Sequence, residues 1–586
     1  MAAPTEFCTF CRLARFGLLA RSIGSRTMVD PKRCIVQYRT SINVHTSRCY
    51  VSEAARQNVI LIPQYLNRRL DQIKKAKSHG KNSVPLARPG RIVISCKRKE
   101  FNHYGGQTLG KFDVPQLASK GWKHKKSVGD HFTIVGYTKN PALLPVPDEE
   151  DTDKGKSVVR EGGDRPLTTF GGLPLDEGIL EGLHAMNMVV PTKIQAAAIP
   201  AILSGKNVLC AAETGSGKTL CYVVPLLQSL LPVVRESDAD MTQREQGRPL
   251  AVIVVPAREL AEQVMTVLTT FNTALLKPFK MQIVVGGQGI GNIKKKLGKQ
   301  VDILVITPGM LNKALHKGFL GMDWVRHLVL DEIDTLLDDS FSDMTLEAIS
   351  CCQVRVSEVG GVGDGTQVIM AGATMPKRTA EILGEIVPME SLATVTTPAL
   401  HRVMPHVSQK FLRVKPSSKA ATVLELVKQD VNVNCPVIVF CNTFSTADWL
   451  SHTLRENNIN HSKITGKLSA SVRLGIFKEF QDGLTDVLVC TDIASRGLDT
   501  VRVQHVINFD FPGVVSDYIH RVGRVGRVGS RVAGRVTSLV CQPYEVDMLW
   551  KIETAVRRQA ELKGVDANIT RKIAKRFMDE WDFPED

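Results

Sequence analysis

Short, almost uninterrupted Val/Ile/Leu runs, each followed by a longer stretch of helical character, constrain this chain most. One series comprises 207–210, 251–255, 282–285, 303–306, 327–330 and 367–370; a second comprises 437–440, 486–490, 505–509 and 535–539. A strand that is apolar without alternation must be covered on both faces, as in parallel sheets wrapped by crossover helices. Two such series predict two α/β units in tandem, joined by a Pro-bearing segment at 397–405. Internal repetition between them is not visible in the sequence. No apolar run reaches the roughly 18 residues that span a bilayer, so membrane insertion is not expected. The 13 scattered cysteines, an odd number, read as reduced thiols.

The net charge of +16 is unevenly placed. Residues 1–140 hold 26 Lys/Arg against 7 Asp/Glu, and the remainder holds 49 against 52. The basic character therefore belongs to an N-terminal extension, and its natural partner is a polyanion, nucleic acid first. Residues 1–50 are Arg-rich, rich in Ser and Thr, and contain only Glu6 and Asp30 as acids. Phe10, Leu13, Phe16, Leu18 and Leu19 fall near one face of a potential helix, with Arg12, Arg15 and Arg21 beside it. That is the composition of a mitochondrial transit peptide; the alternative is a basic arm acting in the nucleus or nucleolus. Cys8 and Cys11 form an isolated CxxC without a matching second pair, which argues against zinc. Residues 51–140 carry 18 Lys/Arg and 5 acids with too little apolar periodicity for a large core. They are expected to act as a nucleic-acid-anchoring arm, removable without harm to catalysis. Residues 141–166, rich in Pro, Gly and acid, read as a linker.

The sharpest local signal is Ala212-Glu213-Thr214-Gly215-Ser216-Gly217-Lys218-Thr219, preceded by Ala211 and followed by helical character over 220–230. Between a strand and a helix, this is a phosphate-binding loop with Ala212 in place of its usual first glycine. Gly215 and Gly217 let several N–H groups point at phosphate oxygens, and the helix N-terminus adds its dipole. Lys218 is then expected at the β- and γ-phosphates and Thr219 at Mg²⁺. A second strand tip must supply acid. Asp331-Glu332-Ile333-Asp334 fits, with Asp331 toward Mg²⁺ and Glu332 polarising the attacking water.

With these motifs the chain resembles a DEAD-box RNA helicase of superfamily 2 over about residues 165–545. Pro256-Ala257-Arg258-Glu259-Leu260-Ala261 is similar to motif Ia, Gly286-Gly287 to the GG motif, and Thr307-Pro308-Gly309 to motif Ib. Gly372-Ala373-Thr374 is similar to the Ser-Ala-Thr motif, and Pro191-Thr192-Lys193-Ile194-Gln195, with Phe170 upstream, to the Q motif. In the second half, Phe440-Cys441-Asn442-Thr443 resembles motif IV. The segment from Thr491 through Arg496, Gly497 and Asp499 resembles motif V, and His520 to Arg527 resembles motif VI. The resemblance implies a fold and a set of roles. Two RecA-like domains would bind ATP with Mg²⁺, Gln195 reading adenine and Met188 and Phe170 beside it. Asp499 would hold the ribose, and Arg524 and Arg527 would reach the γ-phosphate. Asp334, Thr374 and His520 would couple hydrolysis to strand separation. Arg258, Gly287, Thr307, Thr443, Gly466, Arg473, Thr491 and Gly497 would face RNA through its backbone, without sequence specificity.

Four positions depart from the family pattern. Ile333 replaces alanine and is expected to tuck into the core. Gly372 replaces serine and removes a hydroxyl, Met310 replaces an RNA-contacting arginine, and Met188 replaces the aromatic that packs on adenine. These changes leave open a runner-up, an ATP-switched RNA clamp with little unwinding; a DNA helicase is a third reading, disfavoured by the Q motif and motif V.

The segments Gly121-Trp122-Lys123, Asp130-His131-Phe132-Thr133-Ile134 and Met404-Pro405-His406-Val407 resemble a vertebrate mitochondrial branch of that family. That likeness implies a matrix protein acting on mitochondrial ribosomal RNA and pre-ribosomal particles during large-subunit assembly, with no oligomer implied. The expected organisation is 1–50 transit peptide, 51–166 extension and linker, 167–395 and 405–545 the two RecA-like domains, and 546–586 a helical tail.

Overall fold

The computed structural model describes residues 91–565 except 108, 110–112, 137–138, 145–168, 240–244, 338–340, 356–364, 376–382, 385–386, 493–500 and 531. The transit-peptide segment, Cys8, Cys11, the arm up to residue 90, Gly497, Asp499 and residues 566–586 lie outside the described residues.

Among the described residues, sixteen strands follow in chain order. Three come early: β1 (Ile92–Cys96), β2 (His103–Tyr104) and β3 (His131–Ile134). Then come β4 (Asn207–Ala211), β5 (Ala251–Val254), β6 (Met281–Val284), β7 (Ile303–Ile306), β8 (His327–Asp331), β9 (Gln367–Gly372) and β10 (Leu392–Thr396). The last group is β11 (Ser408–Arg413), β12 (Val437–Cys441), β13 (Ser462–Ile464), β14 (Val487–Thr491), β15 (His505–Asn508) and β16 (Arg535–Val540).

The first sheet has the order β10-β4-β9-β8-β5-β7-β6 and is parallel throughout. Its strands feed two separate cores. Cys210 and Ile253 pack into one, while Leu209, Val252 and Val254 pack into the other. Alternate side chains thus enter opposite layers, and both layers are apolar, which is why the sequence runs unbroken. The second sheet repeats the device: Ile438 and Phe440 face one core, Val437, Val439 and Cys441 the other. The nine cysteines among the described residues are free thiols.

The early strands change the second sheet. Its order is β13-β14-β12-β15-β16-β11-β3-β1-β2, parallel as far as β11 and antiparallel beyond it. Phe132 pairs with Phe411 across β3 and β11, their rings stacked with centroids 4.9 Å apart, and Trp122 lies 5.6 Å from Phe132. Trp122, Phe132 and Ile134 are fully buried in the same core as Phe411. The helix Pro543–Arg558 closes this layer. Its Glu553, wholly buried, accepts hydrogen bonds from Ala118 N (2.7 Å), Ser119 N (3.1 Å) and Ser119 Oγ (2.6 Å), and Arg557 neutralises it at 2.7 Å. Part of the segment read from sequence as a removable arm is therefore a sheet extension. The expectation that residues 51–140 can be deleted without harm is corrected for 91–135, because that deletion would strip the second core.

Candidate nucleotide and nucleic-acid site

The carboxyl ends of β4 and β8 are two strands apart in the first sheet, so the loops that follow them face one crevice. The loop 212–217 leaves β4 with Gly215 at φ +74° and Gly217 at φ +87°, left-handed conformations that side chains resist. A Cβ would also strike Arg527 Cγ at 2.6 Å from Gly215, and Gln195 Nε2 at 2.5 Å from Gly217. Lys218 Nζ donates to the carbonyls of Ala212 (2.8 Å) and Glu213 (3.0 Å), curling the loop around its own cation. Ala211 and Ala212 are buried at the strand end, and Ala212 N bonds Gly372 O.

Asp331 ends β8 and is buried. Burial pushes its carboxyl up to about 6, against a hydrogen bond from Tyr222 that pulls it down. Tyr222 Oη donates to Asp331 Oδ2 at 2.7 Å from the same helix that carries Thr219, so one expected Mg²⁺ ligand is anchored to the helix that presents the other. Glu332 sits at φ +50°, a strained setting for a non-glycine residue. Its Oε2, with Thr214 Oγ1 and Ser216 Oγ, is buried without a hydrogen-bond partner among the described residues. Unsatisfied hydroxyls around a cation, facing two acids, fit a nucleotide triphosphate and its divalent ion.

Asp334 lies beneath this wall. Burial pushes its carboxyl up, but His520 and two hydrogen bonds from Thr374 (N and Oγ1, both 2.8 Å) outweigh that and hold it well below the usual range. His520 Nε2 is 3.4 Å from Asp334 Oδ2, so the three residues expected to couple the domains do meet.

Residues of the second domain complete the cleft. His520, Arg524 and Arg527 line it opposite Lys218, Asp331 and Glu332, enclosing about 310 Å³. Arg524 Nε donates to His520 O and Arg527 Nε to Gly523 O, which fixes both guanidinium stems. Val528 N donates to Gly215 O at 3.1 Å, a direct backbone bond across the cleft.

Gln195 is buried and spoken for at both ends of its amide. Its Oε1 accepts from Thr192 N (2.8 Å) and its Nε2 donates to Gly217 O (3.0 Å), so it ties the helix start to the phosphate loop. Met188 lines the cleft together with Met186, whereas Phe170 is buried in the first core and not on the cleft wall. Glu213 points away from the cleft and accepts from Thr397 Oγ1 of the interdomain segment at 2.5 Å.

A second groove of about 370 Å³ is lined by Arg258, Gly287, Thr307, Lys313, Phe341 and, from the other domain, Arg473. Arg473 Nε lies 3.1 Å from Glu259 Oε1 across the domain boundary. Thr443 caps the helix after β12, Gly466 follows β13 and Thr491 ends β14, three neighbouring strand ends of the second sheet. Met310 is buried in the core. Sequence reasoning missed Tyr222, Thr397, Lys313 and Phe341. Only Tyr222 left a local signal, one helical turn beyond Thr219.

The chain matches the DEAD/DEAH box helicase family over residues 192–383 and the helicase conserved C-terminal domain over 418–529. It is 39% identical over 524 residues to the probable ATP-dependent RNA helicase DDX28 of Mus musculus, covering 87% of this chain and 92% of that one. Its identity to the Homo sapiens protein of the same name is 37% over 528 residues, covering 88% and 93%. Among solved structures it is similar to Mss116p (NTE and C-tail double deletion) bound to ssRNA and AMP-PNP. The TM-score is 0.55 at 26% identity, over 67% of this chain and 77% of that one. A likeness to S. cerevisiae Dbp5 bound to RNA and ADP BeF3 has a TM-score of 0.54 at 24% identity, over 70% and 99%, and shows the fold alone.

Proposed function

This chain belongs to the DEAD-box RNA helicase family, and from that premise we propose how its residues divide the work of an ATP-dependent RNA helicase. The carrying observation is that Lys218, Asp331 and Glu332 of one domain and Arg524 and Arg527 of the other line a single cleft. Lys218 and the loop N–H groups hold the phosphates, with Gln195, which also lines the cleft, bracing the loop at Gly217. Thr219 and Asp331, the latter held by Tyr222, would hold Mg²⁺, which would supply charge neutralisation at the phosphates. Glu332 takes the water proton, and Arg524 and Arg527 supply positive charge at the γ-phosphate only when the domains are closed. RNA occupies the groove of Arg258, Gly287, Thr307 and Arg473, which spans both domains, so RNA and ATP favour the same closed state.

Glu332→Gln keeps shape and removes the base. Hydrolysis should vanish while ATP and RNA binding persist; near-normal turnover would refute the assignment. The buried Met310 offers no cation to RNA, which keeps the clamp reading alive. Single-turnover duplex separation measured beside RNA-stimulated ATPase distinguishes the two, since a clamp hydrolyses without separating strands.

The finer setting rests on sequence. The Arg-rich, acid-poor residues 1–50 and the likeness of segments 121–134 and 404–407 to a mitochondrial branch support a matrix protein acting on ribosomal RNA during large-subunit assembly. A tagged full-length protein should enter mitochondria and a form lacking residues 1–50 should not. Crosslinking in cells should recover mitochondrial ribosomal RNA.

A further inference from the structure

Gly136, Asn140 and Ala142, which follow β3, touch both halves of the molecule at the catalytic cleft, although they lie outside both matched helicase regions. Gly136 runs so close to the interdomain segment that a Cβ there would sit 2.8 Å from His406 O. Asn140 Nδ2 donates to Gly526 O at 2.9 Å, and His406 Nε2 approaches the same carbonyl at 2.8 Å. A carbonyl can only accept, so both nitrogens are donors. Gly526 stands between Arg524 and Arg527. Two donors from outside the second domain's matched region thus grip the loop that carries both arginines. Asn140 Oδ1 in turn accepts from Ala142 N at 3.0 Å, and Ala142 O accepts from Lys193 N at 2.9 Å. Lys193 begins the helix that presents Gln195 to the phosphate loop. One short segment therefore joins the arginine loop of the second domain to the nucleotide-bracing helix of the first.

We propose that residues 139–142 form a strap that holds the domains in register, with Asn140 as a positioning residue for Arg524 and Arg527. This rests on the cleft assigned above. The bond to Gly526 fixes where the arginine loop meets Gly215, and the bond from Lys193 fixes the loop's partner, so closure delivers both arginines to one place. Without the strap, contacts such as Val528 N to Gly215 O and Arg473 to Glu259 would remain, but the arginine loop would lose this anchor and the arginines would arrive in a wider range of poses.

The test uses the full chain with ATP and a single-stranded RNA oligonucleotide. Asn140→Asp removes the donor to Gly526 but retains the oxygen that accepts from Ala142 N; Asn140→Ala removes both bonds without adding charge. Each should lower RNA-stimulated kcat about fivefold, the scale set by one neutral hydrogen bond. ATP affinity without RNA and the thermal midpoint should stay at wild-type values. In an Arg527→Ala background, Asn140→Ala should cost clearly less than fivefold further, because one of the two arginines it positions is gone. An unchanged kcat in Asn140→Ala, a lowered midpoint that tracks the lost rate, or a full fivefold loss in the Arg527→Ala background would each overturn the strap. Glu332→Gln decides the cleft assignment separately, so failure of that reading and failure of the strap are told apart.

Discussion

A Cβ placed on Gly372 would lie 2.9 Å from Ile333 Cγ2, so two departures from the family pattern occupy one space. The usual alanine at 333 leaves room for a serine at 372. Here the larger Ile333, buried in the core, fills that room and the serine position has become glycine. Gly372→Ser alone should therefore overpack the site and destabilise by about 1–3 kcal/mol. Ile333→Ala alone leaves a cavity and costs about 2–5 kcal/mol. Combined, they should be less destabilising than their sum by at least about 1 kcal/mol. Denaturant unfolding of the four proteins measures this; strict additivity would show that the two positions are unrelated.

Tyr222 holds Asp331 from inside the helix Lys218–Ala239, which also carries Thr219. Tyr222→Phe keeps the ring and its packing but releases Asp331. ATP affinity at limiting Mg²⁺ should fall about five- to tenfold, with a much smaller change at saturating Mg²⁺. Isothermal titration across a Mg²⁺ series reads the difference. Equal loss at every Mg²⁺ concentration would mean that Tyr222 serves packing alone.

Arg473 was expected to face RNA, and its guanidinium also pairs with Glu259 of the other domain at 3.1 Å. The Glu259 side chain is 4% exposed and Arg473 15%, so removing either leaves a charge largely cut off from water. Arg473→Ala should raise the RNA concentration for half-maximal ATPase tenfold or more, and Glu259→Gln should move it in the same direction. A normal Glu259→Gln beside a damaged Arg473→Ala would leave Arg473 as an RNA contact only.

What the sequence showed and hid follows from where the physical cause lies. β4, β5, β7 and β8 were legible because burial on both faces writes a continuous apolar run into the strand itself. β11 (SQKFLR) and β1 (IVISC) were not, because their surroundings come from distant chain: β3 pairs with residues about 280 positions later, and Glu553 accepts from Ala118 and Ser119 across a still longer separation. The phosphate loop was legible from local spacing alone. Thr397 on Glu213, Arg473 on Glu259 and Asn140 on Gly526 were not, since each joins segments with no shared local pattern.

His327 opens β8 fully buried, its Nδ1 2.9 Å from Gln367 Oε1. Burial pushes its ring down to about 4 despite that contact. Below pH 6.5 the unfolded chain takes up a proton that the native ring refuses until about pH 4. The folded state therefore loses stability as pH falls through that window. The full loss approaches about 3 kcal/mol, with about 2 kcal/mol gone by pH 5. His327→Gln should flatten this part of the profile in chemical unfolding at pH 7 and pH 5. Parallel profiles for the two proteins would clear His327 of the effect.

The last prediction concerns how far the basic extension can be cut back. Ile94, Trp122, Phe132 and Ile134 each expose 2% or less, and each contributes roughly 1.5–3 kcal/mol by its burial. Their joint loss rivals the whole stability of an ordinary domain, about 5–15 kcal/mol. Deleting residues 1–140 should therefore give aggregated or unfolded protein, while deleting 1–90 should leave the helicase domains folded and ATPase at saturating RNA near wild type. Residues 51–90 carry eight Lys/Arg and two acids, a surplus of six positive charges. Each phosphate neutralised on a single strand contributes about −0.7 to the slope of log affinity against log salt. If half of that surplus meets RNA, removing 51–90 from a form already lacking 1–50 should flatten the slope by about 2 units. Filter binding at several salt concentrations measures it. An unchanged slope would assign RNA capture to the grooves of the folded domains and to the lysines of 91–140, which this deletion leaves in place.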